Sequence, residues 1–117
     1  MFRRYKLINR LVVRCKSETE WRKWIRAHKG ERVLKEDVVG KVVVRTVFTG
    51  MDQIGRNHKV GFKKLPVVFE TSVYGAGMRQ EACHFAHSYE EALAEHQRVI
   101  KSVALNGYAL NGVVVRA

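Results

Sequence analysis

The sequence predicts a small α+β domain over residues 1–117, with two helices packed on one face of a mostly antiparallel sheet. Two stretches begin with a helix-capping motif and continue with helical periodicity, while the stretches between them are rich in β-branched residues or alternate in polarity. A glycine-rich turn at Gly75, Ala76 and Gly77 predicts a hairpin. These observations give the element order β-α-β-β-β-α-β.

The chain from Arg4 to Lys16 alternates between apolar and basic side chains, the pattern of a strand with one buried face. Tyr5 and Leu7 lie on the apolar parity, and Arg10 and Arg14 lie on the basic one. We therefore expect one first strand with a cationic face.

The first helix is predicted by a capping box at Ser17 and Glu20, and Gly30 is placed to end it. Trp21 and Trp24 lie three residues apart on the apolar face, which is more typical of core side chains than of a base-stacking platform. The opposite stripe is basic, so the helix is expected to be amphipathic.

The middle of the chain reads as a strand from Val38 to Phe48, with its regular part starting at Lys41. Residues 50–64 read as a long, mobile, cationic loop. Pro66 is expected to open a strand that runs to Tyr74, and residues 79–86 are expected to return beside it.

A second capping box at Ser88 and Glu91 predicts a longer helix that ends at Asn106 and Gly107. Residues 113–115 are all valine and predict a short strand that joins a sheet edge.

The charge is concentrated in the first half of the chain. The whole chain carries 22 basic and 11 acidic residues, and residues 1–50 carry 14 of the basic and 5 of the acidic ones. A cationic face of this kind favours nucleic acid as the partner, or an acidic host protein or nucleoprotein, although a merely solvated surface remains the alternative. The residues expected to form it are Arg4, Lys6, Arg10, Arg14, Arg22, Arg26 and Lys29, with Arg56, Lys59, Lys63 and Lys64 from the loop.

An enzymatic alternative is a small metal-dependent or cysteine hydrolase. Its candidate residues are Asp52, Glu70, Cys83, His87 and His96. They lack the spacing of a known metal or nucleophile motif, and His96 sits among apolar helix positions, where a hydrogen-bonded core histidine is the more common case. We therefore predict no catalytic residues, no metal and no cofactor.

The sequence does not suggest a membrane or secreted protein. No apolar stretch approaches the ~20 residues of a membrane span. The two cysteines, Cys15 and Cys83, are far apart and are expected to be reduced thiols. A cytoplasmic protein is the expectation.

Three segments together resemble a group of short proteins from tailed bacteriophages and prophages: residues 46–52 (TVFTGMD), 65–75 (LPVVFETSVYG) and 89–92 (YEEA) with His96. In those proteins histidine often follows the aspartate, whereas Gln53 follows Asp52 here. The resemblance implies an early or accessory phage product working in the host bacterial cytoplasm. A counter-defence or host-takeover inhibitor that binds nucleic acid or a host nucleoprotein through its cationic face falls within this interpretation. A virion or assembly component that forms homo-oligomers through a strand edge remains an alternative.

Overall fold

The computed structural model describes residues 3–52, 58–60, 63–75, 81–106, 108–110 and 113–115. In chain order, the elements are β1 (Tyr5–Ile8), β2 (Leu11–Arg14), α1 (Glu18–Ala27), β3 (Val33–Val39), β4 (Val42–Phe48), β5 (His58–Val60), β6 (Lys63–Leu65), β7 (Phe69–Gly75), β8 (Glu81–Ala86), α2 (Tyr89–Asn106), β9 (Tyr108–Leu110) and β10 (Val113–Val115). The α+β class with antiparallel sheets is confirmed.

The centre of the fold is a four-stranded antiparallel sheet with the order β3-β4-β7-β8. Every second residue of β4 is buried, from Val42 to Phe48, as expected for a strand with one face against the core. Helix α2 covers this face and contributes Val99 and Val103. Helix α1 reaches the same face at its other end, where the Trp24 ring meets Phe48 edge-on at 5.6 Å.

The predicted first strand is a hairpin instead. Asn9 and Arg10 form a two-residue turn with φ of +50° and +66°, the left-handed values that such a hairpin turn requires. The turn reverses the chain, so Arg14 lies directly opposite Tyr5 and not on a continuous basic face. Asparagine favours this conformation, but arginine does not. The turn was therefore missed, and residues 4–16 were predicted to form one continuous strand.

The predicted strand from Val38 is also a hairpin, because the chain reverses at Gly40, where φ is +62°. Strand β3, which precedes this turn, was missed. The centre of β3 is Lys35, Glu36 and Asp37. Proteins often place charged residues in edge strands, which keeps other chains from pairing with them, and this polar composition does not resemble a strand in the sequence.

The remaining differences concern shorter segments. Part of the predicted loop is the β5–β6 hairpin, and β10 pairs with β9 and not with the edge of the central sheet. The strand expected from Pro66 begins at Phe69. Its return partner β8 and the second helix are confirmed, while residues 76–80 and Gly107 lie outside the described residues.

Candidate nucleic-acid interface

Helix α1 is positioned by its predicted cap. Ser17 Oγ accepts a hydrogen bond from the Glu20 backbone N–H at 3.1 Å. The Glu20 carboxylate reaches back one residue further than expected and accepts from the Lys16 backbone N–H at 3.4 Å. At the other end, α1 stops at Ala27, before the predicted Gly30, because the His28 N–H bonds to the Trp24 carbonyl oxygen and closes the last turn.

One side of α1 and the turn after it form an exposed group of cations. We call Arg22, Lys23, Arg26 and Lys29 the cationic stripe. Arg22 lies 3.8 Å from Glu18, with 68% of its side chain exposed. Within the described residues, Lys23, Arg26 and Lys29 make no ion pair. Arg22 and Arg26 are one helical turn apart, where like charges repel by about 0.2–0.5 kcal/mol.

Two predicted members of the cationic face are already neutralised. Arg4 Nε lies 3.2 Å from Glu18, and Lys6 Nζ lies 2.9 Å from Glu20. The hydrogen bond from Lys6 holds the pKa of Glu20 below its ordinary value, and the Glu20 carboxylate raises the pKa of Lys6 in return. These pairs fasten α1 to the hairpin, so they serve docking of the helix.

The other predicted cations are dispersed. Arg10 lies over the Tyr89 ring, with its guanidinium carbon 4.9 Å from the ring centroid, and Arg14 is exposed on β2. Arg56 lies outside the described residues, as do the side chains of Lys59, Lys63 and Lys64, whose backbones form β5 and β6. Among the predicted site residues, the structure gathers those of α1.

A cleft of about 210 Å³ opens beside α1, and sequence reasoning missed it. We call it the hairpin cleft. Its lining residues are Leu7, Asn9, Arg10, Trp24, Glu31 and Tyr89. They come from the tip of the β1–β2 hairpin, from α1, from the turn after it and from the start of α2. Only the left-handed turn at Asn9 brings the hairpin tip to Tyr89, and an uninterrupted strand could not.

His96 belongs to a buried polar chain. Its Nε2 lies 2.8 Å from Asp37 Oδ2, its Nδ1 lies 2.7 Å from Thr46 Oγ1, and Thr46 Oγ1 lies 2.7 Å from Thr71 Oγ1. The order of carboxylate, imidazole and hydroxyl resembles a nucleophilic triad. Thr46 is 0% exposed, however, so a substrate does not reach its hydroxyl. This buried polar chain joins α2 to the sheet. The interpretation of His96 as a hydrogen-bonded core residue is confirmed.

The other hydrolase candidates are engaged separately. Glu70 Oε1 accepts from Ser72 Oγ at 3.3 Å, and Asp52 Oδ1 accepts from the Val67 N–H at 3.3 Å. His87 precedes α2 and pairs with Glu91 in the first turn of that helix. The side chain of Cys83 lies outside the described part of the chain. Among the described residues, no group of three or more metal-ligating side chains is close enough to hold an ion.

Neither described helix combines the length and the apolar character needed to cross a membrane. Comparisons of the chain with protein-family models, with curated proteins and with solved structures found no match.

Proposed function

We propose that this chain binds nucleic acid through the cationic stripe, as a non-enzymatic accessory protein of phage type in the bacterial cytoplasm. The observation that carries the proposal is the exposure of Arg22, Lys23, Arg26 and Lys29 within eight residues, with one long ion pair among them in the described part of the chain. Phosphates neutralised by such side chains release condensed counterions, which drives association. The phage setting is supported by the resemblance of residues 46–52, 65–75 and 89–92 with His96, and a counter-defence or host-takeover inhibitor is one form that such a binding protein would take.

The distribution of carboxylates favours a ligand over simple solvation. The acids in the first turn of α1, Glu18 and Glu20, are held by the hairpin cations Arg4 and Lys6. Glu18 also lies 3.8 Å from Arg22, so it balances one end of the stripe in part. Like charges one turn apart weaken a helix, so a stripe in which Lys23, Arg26 and Lys29 make no ion pair within the described residues is typical of a surface that meets a polyanion.

Salt dependence tests the proposal. Four phosphate contacts predict a slope of about −3 to −3.6 in log affinity against log salt, so affinity for a labelled oligonucleotide should fall about a hundredfold between about 50 and about 200 mM salt. Fluorescence anisotropy on single-stranded and duplex forms of DNA and RNA measures this slope. A flat salt response, or no binding to any of the four, contradicts the proposal and leaves an acidic protein as the partner to seek.

A pair of matched variants locates the surface. R22Q/R26Q removes two stripe cations and should reduce the slope by about 1.5. K41Q/K101Q makes the same change in net charge at two exposed lysines. Lys41 directly precedes β4 and lies about 23 Å along the strand direction from Phe48, the residue that α1 contacts, and Lys101 lies about 18 Å along α2 from Tyr89. Equal losses in both variants would show non-specific attraction and overturn the assignment to α1.

A further inference from the structure

The hairpin cleft has two aromatic walls that other rings hold in place. Trp24 stacks on His28 with 4.7 Å between ring centroids and meets Phe48 edge-on. Tyr89 meets Phe69 edge-on at 6.3 Å. Both rings also line the cleft. His28 covers one face of Trp24 and Arg10 lies over Tyr89, so the ring surface that remains is fixed before a ligand arrives.

The polar groups of the cleft are distinct from those of the stripe. Arg10 is held over Tyr89 by a backbone with φ of +66°, a conformation that costs a non-glycine residue about 1–2 kcal/mol. Glu31 is exposed and makes no ion pair within the described residues, although the chain carries a net charge of +11. Asn9 adds an amide that can both donate and accept.

Volume and charge limit what the cleft can hold. At about 210 Å³ it is smaller than the ~300–1,000 Å³ pockets that take a whole drug-sized ligand, so a single planar ring system fits best. Arg10 and Glu31 balance each other, which favours a neutral group and leaves phosphates to the stripe. The unpaired Glu31 carboxylate accepts hydrogen bonds only, so the group should present N–H donors.

We infer that the hairpin cleft binds one unpaired nucleobase that carries an exocyclic amino group, stacked against Trp24 or Tyr89 with the amino group donating to Glu31. Unpaired bases are recognised in this way, by stacking on aromatic side chains and by hydrogen bonds to their edges. A carboxylate is the acceptor suited to the amino group of cytosine. The inference rests on the proposed function, because it places the base in a strand whose phosphates meet the stripe.

Free nucleosides test the cleft without the stripe. In a Trp21→Phe variant, tryptophan fluorescence reports on Trp24 alone. Cytidine should quench this fluorescence in the millimolar range, and half-maximal quenching by uridine should need about tenfold more nucleoside. Glu31→Gln should abolish that preference, because an amide side chain both donates and accepts. The control is Glu36→Gln, which makes the same change at a carboxylate that pairs with Arg45 on the central sheet and should keep the preference. Equal quenching by the two nucleosides, or an unchanged preference in Glu31→Gln, overturns the inference.

Homopolymer strands separate this inference from the proposed function. Oligo(dC) should bind about tenfold more tightly than oligo(dT) at the same salt concentration, and Tyr89→Leu should reduce the difference while leaving the salt slope unchanged. Equal affinity with the salt slope intact overturns the cleft and keeps the stripe. If the protein discriminates between the nucleosides but binds none of the strands, the result keeps the cleft and overturns the stripe.

Discussion

The buried polar chain predicts that two similar substitutions have unequal costs. When Asp37 is ionised and the imidazole of His96 is neutral, Nε2–H donates to Asp37 and Nδ1 accepts from the Thr46 hydroxyl. Thr71 then donates to Thr46. Valine has nearly the shape of threonine and lacks the hydroxyl, so Thr46→Val and Thr71→Val test the two positions with little change in volume.

The expected magnitudes follow from which atoms lose a partner. Thr46→Val leaves both His96 Nδ1 and Thr71 Oγ1 buried without their hydrogen bond, at about 1–3 kcal/mol each, so the free energy of unfolding should fall by about 2–6 kcal/mol. Thr71→Val removes only the donor to Thr46, and Thr46 keeps its hydrogen bond to His96. The free energy of unfolding should therefore fall by about 1 kcal/mol or less.

The double variant gives the sharpest outcome. In T46V/T71V the stranded Thr71 hydroxyl is gone, so the protein should be more stable than T46V alone, although it carries one more substitution. Urea unfolding followed by circular dichroism measures all three variants, and the midpoint of T46V should shift by about 1 M or more. Equal costs for the two single variants, or a double variant less stable than T46V, would refute the assigned hydrogen-bond directions.

Two further predictions concern the junction of α1 with the hairpin. Gly50→Ala should destabilise the fold by more than about 1 kcal/mol, because φ is +74° and a Cβ would lie 2.5 Å from Trp21 Nε1. At Gly30 an added Cβ meets nothing within 4 Å, so Gly30→Ala should be neutral or slightly stabilising. Thermal unfolding of both variants measures the difference. Similar losses for both glycines would contradict the packing. Since the folded pKa of Glu20 is lowered by Lys6, its contribution to stability is present above the ordinary glutamate pKa of about 4.3 and fades as the pH falls through the lowered folded value. The acid-side loss of the urea midpoint should therefore be smaller in Lys6→Gln, and an identical acid profile would count against the pair.

Local signals in the sequence predicted the helices well. The hydroxyls of Ser17 and Ser88 accept from the residue three positions later, as their capping boxes imply. The β-branched composition of residues 41–48 also predicted the strand β4. These features depend on residues within a few positions of each other, which is the range that a single sequence reports.

The features that were missed depend on long-range contacts or on an unfavourable local conformation. His96 meets Asp37 and Thr46 across 59 and 50 residues of chain, and no spacing rule connects them. Arg10 occupies a left-handed turn position that its residue type disfavours, so neither the hairpin nor the cleft could be read from the sequence. The pairing of Lys6 with Glu20 likewise required the helix to be docked.

Asp37 links the rim of the molecule to its interior. It lies on β3, an outer strand of the central sheet, with 38% of its side chain exposed, yet its carboxylate anchors a histidine that solvent does not reach. Exposed segments with few buried apolar contacts open locally at lower free energy than the core does. Detachment of β3 would remove Asp37 from the buried His96 imidazole. The loss of this hydrogen bond under the sheet therefore raises the free energy needed to detach the strand.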